Sequence, residues 1–296
     1  MGGTPMLEGT IVAIVTPFKN GKLDRKALKA LVEFQIKNGT KAIVPCGTTG
    51  EASTLSYEEH EAVIDIVIET AKGRVPVIAG TGSNNTEEAI ELTKYAKKAG
   101  ADASLVVTPY YNKPTQEGLY RHYRTLAEAV DLPMVLYNVP GRTGVNLLPA
   151  TVARLAEVKN IVAVKEASGN LGQVCEIIRS VPKDFTVLSG DDGLFFPMMA
   201  LGAKGVISVA SNVAPRLMAD LYDAWIAGDV ARARAIHFKL WPLFDVLFVE
   251  TNPIPVKTAV SLMGLCAEEF RLPLCPMGAD NRKKLAKVLS GLKLVK

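Results

Sequence analysis

Lys165, Tyr137, Tyr111, Arg142 and the paired Thr48-Thr49 each stand at or just after the end of a short apolar run. Together they form a set of side chains suited to carbonyl chemistry. In Ile161-Val162-Ala163-Val164-Lys165-Glu166-Ala167-Ser168-Gly169-Asn170, four apolar residues lead directly into the lysine and a glycine-bearing turn follows. If that run is a buried strand, Lys165 sits at its C-terminal end with little water around it. Burial disfavours the ammonium and makes the neutral amine available. A neutral amine can attack a carbonyl carbon to form a Schiff base. The plainer readings are a long side chain snorkelling to water or a lysine paired with a neighbouring carboxylate.

The other run ends add to the set. Met134-Val135-Leu136-Tyr137 ends in a tyrosine, and a loop, Pro140-Gly141-Arg142-Thr143-Gly144, follows with Arg142 between two glycines. The guanidinium fork of Arg142 suits a two-point grip on a carboxylate; its plainer reading is a solvated surface charge. Gly47-Thr48-Thr49-Gly50 is either a tight turn or a nest of backbone N–H groups for an anion. Tyr110 and Tyr111 fit interface packing as well as chemistry. Asp191 and Asp192 read as a helix cap, and His60 and His122 as solvent-facing positions on helices. Gly80-Thr81-Gly82-Ser83-Asn84-Asn85 follows a strand but lacks the third glycine of a dinucleotide fingerprint. Lysine, tyrosines, arginine and hydroxyls without a metal-binding spacing suggest carbonyl chemistry on a substrate that carries a carboxylate.

Something must bring these residues together. Strand-like runs are predicted at Thr10–Val15, Ala42–Cys46, Pro76–Gly80, Ser104–Thr108, Met134–Tyr137, the Ile161 stretch that ends in Lys165, Thr186–Ser189 and Gly205–Val209. Helical patterns separate them, one of them following Thr115, with caps predicted at Asp24, Ser56 (boxed with Glu59) and Asn85 (with Glu88). Continuous apolar strands imply a sheet covered on both faces, as parallel sheets require. Eight βα units over about 225 residues fit a (β/α)8 TIM barrel, whose site lies at the C-terminal ends of the strands. An open doubly wound sheet is the rival arrangement. After Gly228-Asp229 the strands stop, and helices are predicted over Ala231–Val249, Pro255–Met263 and Asp280–Leu289. The expected organisation is a catalytic barrel over residues 1–228 and a C-terminal helical extension over 229–296.

Composition narrows the partners. A 48% hydrophobic, 22% charged chain of 296 residues has ample material for a core. A net charge of +4 with lysines and arginines scattered among acids gives no basic stripe for nucleic acid. Cys46, Cys175, Cys266 and Cys275 form no C-x-x-C pair, and His60, His122 and His237 lie far apart, so no zinc pattern forms. Met1–Met6 has neither the charge nor the apolar stretch of a secretory leader. No apolar run reaches membrane-span length. A cytoplasmic location with reduced thiols is therefore expected.

Gly47-Thr48-Thr49-Gly50-Glu51, Thr108-Pro109-Tyr110-Tyr111-Asn112, Tyr137-Asn138-Val139-Pro140-Gly141-Arg142-Thr143-Gly144, Val164-Lys165-Glu166-Ala167 and Ser189-Gly190-Asp191-Asp192 occur in this order. With Asn252-Pro253-Ile254-Pro255-Val256-Lys257 in the tail, the chain resembles the dihydrodipicolinate synthase family of pyruvate Schiff-base aldolases over nearly its whole length. The resemblance implies condensation of pyruvate with L-aspartate 4-semialdehyde, the first committed step of diaminopimelate and lysine synthesis, with no cofactor. It implies that Lys165 forms the imine and that Tyr137 is the centre of a proton relay with Thr48 and Tyr111, the last from a neighbouring subunit. Thr49, with the backbone of Thr48, would hold the pyruvate carboxylate, and Arg142 that of the semialdehyde. The backbones of Gly190 and Ile207 would line the imine pocket. A homotetramer built as a dimer of dimers is also implied. Some family members are inhibited by lysine, and the matching positions here are Ala52, Ser53, His60, Asn84, Glu88 and Tyr110. Tyr57 departs from the histidine of some lysine-sensitive members.

The nearest alternative is a related lyase, such as N-acetylneuraminate lyase or a keto-deoxy-sugar-acid aldolase, which shares the lysine and tyrosine. Thr48 and the Gly-Arg-Thr-Gly around Arg142 favour the synthase. A non-catalytic binding barrel is a different class, and binding alone needs no lysine, paired tyrosines and threonine together.

Overall fold

The computed structural model describes residues 7–295. The Met1–Met6 stretch examined for a leader lies outside the described residues. Eight parallel strands alternate with helices: β1 (Gly9–Ala13), β2 (Ala42–Val44), β3 (Ile78–Gly80), β4 (Ala103–Val107), β5 (Met134–Asn138), β6 (Ile161–Glu166), β7 (Thr186–Ser189) and β8 (Gly205–Ser208). This is a (β/α)8 barrel, and a run of helices follows its last strand. By contact density the chain forms two compact units: one holds Pro76–Ile207, the other Gly9–Val75 and Ser208–Lys296.

In the unit around Pro76–Ile207, β3 to β8 lie side by side in the order of the chain. No strand order reverses there, so the switch point of an open doubly wound sheet is missing from this run. The strands are short and nearly all buried, as β-branched runs covered on both faces must be. Register sets the chemistry: β5 and β6 pair with Tyr137 opposite Lys165 and Asn138 opposite Glu166. Successive strand residues point to opposite faces, so Tyr137 and Lys165 share one face and Asn138 and Glu166 the other.

In the unit of Gly9–Val75 and the C-terminal segment, β1 pairs with β2 through Ile11–Ala42, Val12–Ile43 and Ala13–Val44. The Asn212 side chain accepts from the Val15 amide at 3.0 Å and donates to the Ala13 carbonyl at 2.8 Å, pinning the end of β1. The sequence pattern did not suggest the small antiparallel hairpin of Phe18–Lys19 and Lys22–Leu23. Two-residue strands carry too little periodicity to be read. The Arg271 guanidinium lies 4.2 Å over the Phe18 ring and pairs with Glu59. The helices expected in the tail are present at Val230–Val246, Ile254–Leu262 and Ala279–Gly291.

Capping follows the local sequence. Ser56 and Glu59 form the reciprocal box, and Asp24 and Thr115 cap their helices. Asn85 caps through the Glu87 amide, whereas Glu88 accepts from the Ser83 hydroxyl at 2.7 Å instead of closing a box. The two histidines expected at the surface are buried: His60 is 7% and His122 6% exposed. Both lie on amphipathic helices, and an imidazole can join the apolar stripe when a local partner takes its polar edge. For His122 that partner is the Thr86 hydroxyl, 2.9 Å from Nδ1. Burial pushes its pKa down to about 4.

Candidate active site

Lys165 lies one residue before the end of β6 and is 6% exposed. Its amine sits 4.0 Å from the centroid of the Tyr137 ring, itself 7% exposed. The pairing of β5 with β6 brings the two together, since directly opposed residues share a face. A phenol packed against an amine can pass a proton to and from an atom bonded to that amine.

The opposite face carries a buried polar network that the sequence reading missed. Glu166 accepts from the Ser168 amide at 2.6 Å, from Asn138 at 3.0 Å and from Gln173 at 3.2 Å. Asn138 also donates to Asn146 at 2.8 Å and accepts from the Leu147 amide at 2.9 Å. Asn146 and Gln173 exchange hydrogen bonds at 2.8 and 3.1 Å. With its members satisfied, such a network is rigid. It fixes the ends of β5 and β6 and hence the backbones that carry Tyr137 and Lys165. The available signal was the polar residue directly after each chemical one: Asn138 after Tyr137 and Glu166 after Lys165.

Gly190 follows β7 and donates its amide to the Glu166 carbonyl at 2.8 Å. A Cβ there would lie 2.6 Å from the Ala167 Cβ and 3.1 Å from Lys165 Cε. The lysine stem therefore lies on bare backbone. Gly190→Ala is expected to displace the stem and cost about 1–3 kcal/mol through overpacking. Both a lower melting temperature and slower turnover should follow; a variant with unchanged turnover would show that the contact is slack. Ile207 is buried in β8. Asp191 caps a turn by accepting from the Gly193 amide at 2.8 Å. The next helix starts only at Phe195, with Leu194 at its N-cap, so the aspartates do not cap it as expected.

Arg142 stands on a single helical turn, Pro140–Thr143, where a loop was expected. Pro140 starts the turn with its φ already set, Gly144 ends it at φ +71°, and the Thr143 hydroxyl donates to the Val145 carbonyl at 3.0 Å. The arginine is exposed. Tyr111 is 90% exposed and has φ +70°, a left-handed backbone uncommon for an aromatic residue. Its loop is held by Asn112, which donates to the Asn84 carbonyl at 2.9 Å, and by Asn84, which donates to the Tyr110 carbonyl at 3.2 Å.

In the other unit, Gly47–Gly50 makes the tight turn after β2. The Gly50 and Glu51 amides bond the carbonyls of Gly47 and Thr48 at 3.0 and 3.1 Å. Thr48 is exposed and Thr49 buried, with the Thr49 hydroxyl accepting from Asn252 at 3.1 Å. Of the lysine-site candidates in this unit, Ser53 is exposed, Ala52 half-buried and His60 buried. Asn84 and Glu88, in the first unit, are half-buried, and Tyr110 is 39% exposed.

Residues 6–292 match the model of the Dihydrodipicolinate synthetase family. The 4-hydroxy-tetrahydrodipicolinate synthase of Geotalea uraniireducens is 62% identical over 290 residues, covering 98% of this chain and 100% of that one. The crystal structure of the Aquifex aeolicus dihydrodipicolinate synthase superposes with a TM-score of 0.96 at 55% identity, covering 97% of this chain and 99% of the other. The chloride-inhibited Acinetobacter baumannii enzyme complexed with pyruvate gives a TM-score of 0.96 at 52% identity, covering 98% and 100%. A whole-chain match at this identity, on a barrel that presents a buried lysine against a tyrosine, leads to one assignment: the chain belongs to the dihydrodipicolinate synthetase family.

Proposed function

We propose that this protein condenses pyruvate with L-aspartate 4-semialdehyde through an imine on Lys165. The single observation carrying the reading is the buried Lys165 amine 4.0 Å from the Tyr137 ring. The amine adds to the pyruvate C2 carbonyl and water leaves, giving the imine. Loss of a C3 proton gives an enamine, whose C3 attacks the aldehyde carbon of the semialdehyde, and the alkoxide formed takes up a proton. The semialdehyde's amine then displaces the Lys165 amine from C2, closing the ring and freeing the enzyme. Tyr137 serves as acid and base in these steps, with Thr48 and Tyr111 completing the relay. Thr49 and the Thr48 backbone take the pyruvate carboxylate, and the Gly190 and Ile207 backbones line the imine pocket. No cofactor enters this sequence of steps.

Arg142 takes the semialdehyde carboxylate. Arg142→Leu is expected to raise KM for the semialdehyde about tenfold or more while leaving that for pyruvate within about twofold. Equal rises in both constants would remove this role. The high exposure of Tyr111 supports its service to a neighbouring subunit, and the assembly proposed is a homotetramer, a dimer of dimers. Residues 1–228 are read as the catalytic barrel and 229–296 as its helical extension. Among the described residues no helix is long and apolar enough to cross a membrane; the location proposed is the cytoplasm.

Incubation with pyruvate, reduction with borohydride and peptide mapping test the central claim. The expected adduct lies on Lys165, and its absence would overturn the imine route. Turnover with aspartate semialdehyde and none with sialic acid then separates synthase from lyase. Lysine at the Ala52, Ser53, His60, Asn84, Glu88 and Tyr110 positions is expected to inhibit turnover. An inhibition curve flat into the millimolar range would dismiss that site.

A further inference from the structure

Lys257 has a fully buried side chain, and nothing in the chemistry above uses it. Its amine donates to the Glu51 carboxylate at 2.6 Å and lies 4.1 Å from the Phe18 ring and 5.4 Å from the Phe270 ring. The second Glu51 oxygen accepts from the Arg271 amide at 3.3 Å. Burial pulls the Lys257 amine below the ordinary lysine range while Glu51 pulls the other way. A buried ion pair is a poor device for stability, because apolar residues of similar size often do as well. Its presence asks for another reason.

Glu51 ends the Gly47–Glu51 turn with φ +53° and ψ +36°, and Cys46, the residue just before it, has φ +56°. Left-handed backbone at two non-glycine residues persists only where the surroundings over-determine it. Here they do. Glu51 is tied to Lys257, the Gly50 carbonyl accepts from the Thr16 hydroxyl at 2.7 Å, and the Thr49 hydroxyl accepts from Asn252 at 3.1 Å. Gly50 itself leaves no spare room, since a Cβ would sit 3.2 Å from the Cys46 nitrogen and the Ile14 carbonyl oxygen. Two of these three ties come from one short segment, Asn252 to Lys257, at the start of the helix Ile254–Leu262.

We infer that Lys257 and Asn252 are positioning residues, which clamp the Gly47–Glu51 turn from behind and hold Thr48 and Thr49 ready for the pyruvate carboxylate. The inference rests on the reading that this turn receives pyruvate. Lys257 is not a second nucleophile: its amine is sealed from solvent and occupied by Glu51. It should take no borohydride-reducible adduct.

The test uses Asn252→Ala and the paired variant Glu51→Gln with Lys257→Met, which leaves no unpaired buried charge. For each, melting temperature, the pyruvate concentration that half-saturates trapping at Lys165, and KM for both substrates are measured. Expected is a rise of about five- to tenfold in half-saturating pyruvate, the scale of one or two lost hydrogen bonds. KM for the semialdehyde should stay within about twofold and full trapping should be reached at high pyruvate. A merely structural role would lower the melting temperature and move both constants together, overturning the inference. Thr49→Val on the parent separates the two claims. If it weakens pyruvate binding but the clamp variants do not, the clamp is wrong and the turn stands. If Thr49→Val has no effect, the turn does not receive pyruvate and the clamp falls with it.

Discussion

Lys165→Met is expected to lower turnover on the order of a thousandfold or more while leaving the fold intact. Methionine matches the stem of lysine in volume, so the contact with the Gly190 backbone survives. The substitution also replaces a polar group at a site 6% exposed by an apolar one that needs no solvation. What disappears is the amine. Without it no covalent bond to pyruvate forms, and activation of C3 must proceed from free pyruvate. Lys165→Arg makes the complementary case: it places a permanent charge there and offers no neutral amine, since a guanidinium stays protonated in proteins. Both variants should melt near the parent, show no reducible adduct and turn over poorly. Turnover within about tenfold of the parent in Lys165→Met would end the imine route.

That lysine was legible because its signal is local. An apolar run ending in Lys165 tells of strand, burial and chemistry within six residues, and the (β/α)8 arrangement follows from repeating such units. Less legible was everything that depends on residues far apart in the chain. Asn138 and Glu166 meet across 28 positions and Asn146 and Gln173 across 27, so no window of sequence contains the network under the lysine. The same holds for Lys257 and Glu51, separated by 206. His60 and His122 were assigned to solvent on residue type, which cannot reveal that Thr86 waits for one imidazole. The turn of Arg142 was placed as a loop because a Pro-Gly-Arg-Thr run is too short for helical periodicity to register. Local pattern yields strands and isolated chemical residues; the scaffolding that orients them is a tertiary property.

The largest effect on stability is expected from Lys257→Met made alone. It leaves the Glu51 carboxylate fully buried with the Arg271 amide 3.3 Å away and the ammonium gone. Breaking a buried pair in this way costs about 3–5 kcal/mol. For a protein of this size the melting temperature should then fall on the order of 10 °C. The paired Glu51→Gln, Lys257→Met variant should recover most of the loss, because the amide carries no charge to desolvate and keeps an oxygen for Arg271. The comparison is informative because the two variants share the same missing lysine. If both melt equally low, packing of the lysine stem against Phe18 and Phe270 carries the stability. If only the single variant is low, the cost is the stranded charge, and the pair persists for what it does to the left-handed backbone at Glu51.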